Sequence, residues 1–155
     1  MANSELKQRL HDDMTAALKA RDEIRKSTLR MALTAVTKAE VAGKEARELS
    51  DAEIIDVLTS EAKKRRESVI AYREAGREEL AEKEQAEADI LAEYLPEQLT
   101  TEEISALVAE VIAATGAAEL GPRGIGKVMG ALQPKVKGKA DGGAVSAEVK
   151  RQLAD

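Results

Sequence analysis

The stretch Gly121-Pro122-Arg123-Gly124-Ile125-Gly126-Lys127-Val128 comes within one residue of G-x-x-x-x-G-K-[ST], the loop whose backbone amides cradle phosphates while its lysine neutralises them. Val128 breaks the pattern. The hydroxyl at that position holds magnesium, and valine has no ligand atom to offer. The motif also needs a strand before the loop. Here the preceding apolar residues, Ile104, Leu107, Val108, Val111 and Ile112, recur at helical spacing and stop at Gly116. Nucleotide hydrolysis is therefore not expected.

The same region carries a second signal. Between Gly121 and Ala140 the charged residues are Arg123, Lys127, Lys135, Lys137 and Lys139, with no anion among them, in a chain whose net charge is −5. Cationic groups on a glycine-rich segment suit a phosphate backbone, because they replace its counterions without reading sequence. The run Pro134 to Lys139 reads as flexible. Two readings stand side by side: a phosphate-contacting segment, or a solvated basic loop. Gly126 and Gly130, four residues apart, share one helix face and leave room for another backbone. Glycine weakens a helix by about 0.5–1 kcal/mol relative to alanine, so a contact or a conformation must offset that cost.

Other chemistry finds little support. Cysteine is absent, which removes disulfides, thiolate nucleophiles and Cys-ligated zinc. His11 is the single histidine, beside Asp12 and Asp13, with no activated-serine pattern to accompany it. Glu78, Glu79, Glu82, Glu84, Glu87, Asp89 and Glu93 spread over several helix faces and read as a solvated surface, not as a metal or acid/base site. Lys63-Lys64-Arg65-Arg66 lies within a helix and circles it, with Glu67, Glu74 and Glu78 placed to pair with neighbouring cations. No metal and no cofactor are expected.

These residues must be positioned by helices. Leu6, Leu10, Met14, Ala17 and Leu18 mark a first one, capped by Ser4. Asp22 opens a second that fades near Gly43, and a connector follows to Leu49. Ser50-Asp51-Ala52-Glu53 is a capping box before a third helix to Gly76. A fourth spans roughly Glu78 to Leu95, stopped by Pro96. Thr100-Thr101-Glu102-Glu103 caps a fifth, after which glycines and prolines predict short helices with tight turns. No strand alternation and no internal repeat is visible. The fold class expected is all-α, with two helical bundles: a four-helix N-terminal lobe over 1–95 and a three-helix C-terminal lobe over 96–155. No stretch approaches the ~20 apolar residues that span a membrane, and the cytoplasm is the expected location.

Three blocks, Ile90-Leu91-Ala92-Glu93-Tyr94-Leu95-Pro96-Glu97-Gln98-Leu99, Gly126-Lys127-Val128-Met129-Gly130-Ala131-Leu132 and Pro134-Lys135-Val136-Lys137-Gly138-Lys139-Ala140-Asp141-Gly142, resemble the YqeY family. The resemblance runs over essentially the whole chain. It implies a four-helix lobe followed by a three-helix lobe, and a likeness to the C-terminal tail of GatB, a subunit of the glutamine-dependent amidotransferase that acts on misacylated Glu-tRNA(Gln) or Asp-tRNA(Asn). The tail helps to bind tRNA there. Carried over to this chain, the resemblance implies an RNA-binding segment of Lys127, Lys135, Lys137 and Lys139, shaped by Gly126, Gly130 and Gly138; Arg123 joins it on charge alone.

The family label, a carbon–nitrogen ligase with glutamine as amide donor, requires an activated nucleophile that this chain lacks. The expectation is a non-catalytic tRNA-binding or amidotransferase-associated module, with tRNA as partner and an aminoacyl-tRNA synthetase or amidotransferase components as further candidates. Its two tyrosines, Tyr72 and Tyr94, lie outside the basic segment, so recognition by shape and phosphate is expected over base stacking. The alternatives are a helical adaptor that docks a partner on its glycine face, and an accessory part of an amidotransferase active only with its partner subunits.

Overall fold

The computed structural model describes residues 4–154. Among them are seven α-helices, α1 (Glu5–Ala20), α2 (Glu23–Glu40), α3 (Asp51–Glu74), α4 (Glu78–Ala92), α5 (Thr101–Thr115), α6 (Ile125–Val136) and α7 (Gly142–Ala154), with a 3-10 segment Ala117–Gly124 and no strand. The protein is all-α. The chain divides into two compact units, Met1–Leu95 and Pro96–Asp155.

The helix ends follow from local chemistry. Ser4 accepts the Lys7 N–H at 3.0 Å, Asp22 accepts the Arg25 N–H at 3.1 Å, and Ser50 with Glu53 and Thr100 with Glu103 form reciprocal capping boxes. Arg47 grips the Glu53 carboxylate as well, and holds its pKa down at about 2. α4 ends at Ala92, three residues before the Leu95 expected from sequence. Glu93, Tyr94 and Leu95 instead bond back to Ile90, Leu91 and Ala92, which tightens the last turn into i−3 geometry ahead of Pro96.

In the first unit the buried side chains are Leu10, Leu29, Val36, Ile54, Leu58, Leu91 and Tyr94 with their neighbours. Leu29, Ala32, Leu33 and Val36 recur at three and four along α2, so a single face enters the core. Tyr94 is buried in this core. Its hydroxyl donates to Asp13, the Arg9 guanidinium lies 4.5 Å from its ring centroid, and burial raises its pKa.

Two polar features depart from the solvated faces expected of the charged helices. Glu87 is buried, and Arg65 lies 3.1 Å from it with Glu84 at 3.7 Å and Glu61 at 3.8 Å, so part of the acidic run faces a cation of the Lys63–Arg66 cluster across α3 and α4. Glu40 accepts from Lys7 Nζ at 2.9 and 3.1 Å and from the Leu49 N–H at 3.2 Å.

The Lys7 and Leu49 bonds outweigh desolvation and lower the Glu40 pKa. A depressed carboxylate stabilises the fold above its unfolded pKa of about 4.3, and that contribution is lost as pH falls through the lower folded value. Glu40→Gln is accordingly expected to lower the urea midpoint at pH 7, with the gap to wild type narrowing as carboxylates protonate toward pH 3. Equal gaps at both pH values would refute the assignment.

In the second unit, Val108, Val111 and Ile112 of α5, Val128, Leu132 and Val136 of α6, and Val145, Val149 and Leu153 of α7 form one aliphatic core. Gln152 ties α7 to α5, donating to the Ser105 carbonyl at 2.9 Å. The two apolar stretches Thr101–Thr115 and Ala117–Val136 are bent 114° to each other. Among the described residues no single helix is long and apolar enough to cross a membrane.

Candidate nucleic-acid interface

α6 presents two opposite faces. Val128, Leu132 and Val136 recur at four-residue spacing and point into the core, which leaves Gly126, Lys127, Gly130 and Pro134 on the outer side. Val128, the residue that spoils the phosphate-loop pattern, is completely buried. The segment before it, Ala117–Gly124, is a 3-10 turn following α5, so neither the hydroxyl nor the strand of that motif has a place in this fold.

All five candidate cations are exposed: Arg123 in the 3-10 segment, Lys127 in the first turn of α6, Lys135 in its last turn, Lys137 at the C-cap and Lys139 just beyond. Arg123, Lys127, Lys135 and Lys139 form no ion pair among the described residues. They sit on two clusters, one at each end of α6, separated by about 12 Å along the helix between Lys127 and Lys135.

The glycines divide into different roles. Gly126 and Gly130 are exposed, and a Cβ built on either would meet nothing within 4 Å. No part of the described chain uses the close approach that their spacing suggests. Gly124, which sequence reasoning passed over, is the tightly packed one: its Cβ would lie 2.9 Å from the Ala117 carbonyl oxygen and 3.1 Å from the Ala117 Cβ. Gly124→Ala is expected to cost about 1–3 kcal/mol in urea unfolding, as overpacking does, whereas Gly126→Ala should gain stability from helix propensity.

The Pro134–Lys139 run, expected to be flexible, is structured. Pro134 and Lys135 lie inside α6, and because proline has no N–H the Gly130 carbonyl loses its usual i+4 donor. The helix then closes through a left-handed Gly138, at φ 75°, with the Lys139 and Ala140 N–H groups bonded to the Val136 carbonyl at 2.8 and 3.1 Å. Gln98 pins this turn from far away in sequence. Its side-chain N–H group donates to the carbonyls of Pro96 at 2.7 Å and Gly138 at 2.8 Å, while the Leu99 N–H reaches the Lys139 carbonyl at 2.8 Å. No local pattern announces Gln98, because its partner is forty residues away.

His11 is exposed on α1. Among the described residues no group of three or more His, Asp or Glu side chains is arranged to hold a metal ion.

The family model for Yqey-like protein matches residues 7–153. The chain belongs to the YqeY family. Curated relatives of this YqeY-family chain include "Altered inheritance of mitochondria protein 41, mitochondrial" of Pyrenophora tritici-repentis, 30% identical over 132 residues, covering 85% of this chain and 71% of that protein. The protein of the same name from Kluyveromyces lactis is 31% identical over 106 residues, 66% of this chain and 56% of that protein. That of Saccharomyces cerevisiae is 31% identical over 97 residues, 61% and 51% respectively. The chain thus spans between about half and about seven-tenths of the length of these relatives.

Proposed function

We propose that this YqeY-family protein is a non-catalytic module that holds the sugar–phosphate backbone of a structured RNA, tRNA first among them, against the second unit. The observation that carries the reading is the outer side of α6 and its C-terminal turn. Lys127, Lys135, Lys137 and Lys139 are exposed there and Arg123 is exposed in the 3-10 segment just before it, four of the five without an ion-pair partner among the described residues, in a chain that is acidic as a whole. A side chain paired internally must give up that pair to bind phosphate, whereas an unpaired one exchanges only mobile counterions. Gly126 and Gly130 add an unobstructed helix surface between the two clusters, low enough for a backbone to lie close.

Association with an aminoacyl-tRNA synthetase or with amidotransferase components extends the same proposal, since a module that grips tRNA without chemistry of its own serves an enzyme that modifies it. The curated relatives carry "mitochondrial" in their names. A cytoplasmic location for this chain is a proposal that fractionation of the source cells tests. Filter binding of bulk tRNA over a salt series tests the central claim. Binding that is absent, or that ignores salt, refutes it.

The open glycine face favours a second reading, in which a partner helix packs on Gly126 and Gly130 without RNA. Gly130→Leu separates the two. It should abolish capture of a protein partner after nuclease treatment under the adaptor reading, and weaken tRNA binding no more than about threefold if lysine contacts dominate.

A further inference from the structure

The first unit carries a groove that the basic segment of the second does not explain. It runs between α2 and α3 with a cavity volume of about 650 Å³. Its walls are regular: α2 contributes Arg30, Met31, Thr34, Ala35 and Lys38, and α3 contributes the matching ridge from Asp56 to Arg65. Each ridge repeats at one and four residues over two turns, so the lining extends about 12 Å along α2.

The floor is apolar, formed by Met31, Ala35 and Val57, and Met31 is 38% exposed there. Its rim is charged unequally. On the α2 side, Arg30 and Lys38 are exposed and form no ion pair among the described residues. On the α3 side the charges are compensated: Lys64 is 3.0 Å from Glu61, and Arg65 is 3.1 Å from Glu87 and 3.8 Å from Glu61.

We infer that this groove docks an amphipathic helix of a partner protein, one whose apolar stripe enters the channel and whose carboxylates lie along its α2-facing flank. Charge complementarity selects that occupant. Two cations without partners in a net-acidic chain sit on the α2 edge, which fixes the sign of the incoming helix and which of its flanks faces α2. The dimensions agree, since anchors at i, i+4 and i+7 of a helix span about 11 Å, the length of the channel. Methionine on the floor supplies a surface that repacks around different apolar anchors. A phosphate backbone fits poorly, because the apolar floor would desolvate it without returning hydrogen bonds.

The test uses the full chain with its methionine methyls labelled, and two stapled helical peptides of about eleven residues with leucines at i, i+4 and i+7. One peptide carries glutamates on the flank beside the stripe, the other lysines. The expected result is that the glutamate peptide moves the Met31 methyl signal and leaves Met129 in place, with an affinity at least about tenfold above the lysine peptide. Arg30→Glu with Lys38→Glu should invert that preference. Both side chains are exposed and without an internal ion pair, so the variant should melt with wild type.

Equal affinities for the two peptides, no saturable shift at Met31, or a preference that the double variant leaves unchanged would overturn the inference. So would displacement of the glutamate peptide from Met31 by a short oligoribonucleotide. Loss of tRNA binding by the second unit leaves this result untouched, because the residues belong to different units.

Discussion

Changing Lys135, Lys137 and Lys139 together to Glu is expected to reduce tRNA binding by at least a hundredfold at low salt, without loss of the fold. Each reversal removes one phosphate contact and sets a carboxylate against the RNA, and a contact to phosphate is worth most where counterion release is most favourable. With four to five such contacts, wild-type affinity should fall by about two orders of magnitude between 50 and 200 mM salt, at a slope near −0.7 to −0.9 per contact. The triple variant should lose about 2 to 2.7 units of that slope. All three side chains are exposed, so its circular dichroism and melting curve should remain close to those of wild type. A variant that binds tRNA as well as wild type, or a slope unchanged by the substitutions, would remove the basis of the proposed interface.

The second large effect concerns the near-miss phosphate loop. Val128→Ser completes the sequence pattern G-x-x-x-x-G-K-S, yet the expected outcome is a protein destabilised by about 2–4 kcal/mol with no gain of nucleotide hydrolysis. Val128 is fully buried against the aliphatic core of α5, α6 and α7. Serine there removes two methyl groups, leaves a small cavity and buries a hydroxyl among apolar neighbours. Chemical denaturation measures the loss, and a phosphate-release assay with ATP and magnesium measures the activity. Hydrolysis above the wild-type background would mean that the segment can adopt a phosphate-binding loop, against the 3-10 turn and helix seen here.

Where capping chemistry is local, sequence and structure agree closely. Ser50 with Glu53 and Thr100 with Glu103 start helices where their spacing says they should, since both partners of each bond lie within one turn. Aliphatic periodicity was equally legible, and Val108, Val111 and Ile112 of the stripe that begins at Ile104 are buried in the core, with Ile104 and Leu107 packed against it. The errors lie where a distant partner decides. Pro134 and Lys135 read as part of a flexible run, because proline in isolation argues against helix. Packing of Leu132 and Val136 into the core holds the last turn in place, and the missing N–H costs only one bond near an end where carbonyls are already unpaired.

Glu87 makes the same point with charge. Its sequence neighbours place it in an acidic, solvated run, yet it is buried beside Arg65 of another helix, and desolvation raises its pKa. The glycines are the clearest case. Spacing singled out Gly126 and Gly130 for close packing, whereas the backbone contact occurs at Gly124, against Ala117. A four-residue interval tells which residues share a face, but not whether anything covers that face.

By itself, then, the sequence determined the all-α class, the starts of the first five helices, the absence of thiol chemistry and the five-cation segment between Gly121 and Ala140, because each depends on residue type and short-range spacing. Only the tertiary structure decided that this segment is an ordered helix and turn pinned by Gln98, that Val128 is core, that the Gly126–Gly130 face is open, and that Arg30 and Lys38 rim a groove on the first unit. Those facts concern which surfaces meet and which stay in water. They are set by contacts between residues tens of positions apart, which no local pattern encodes.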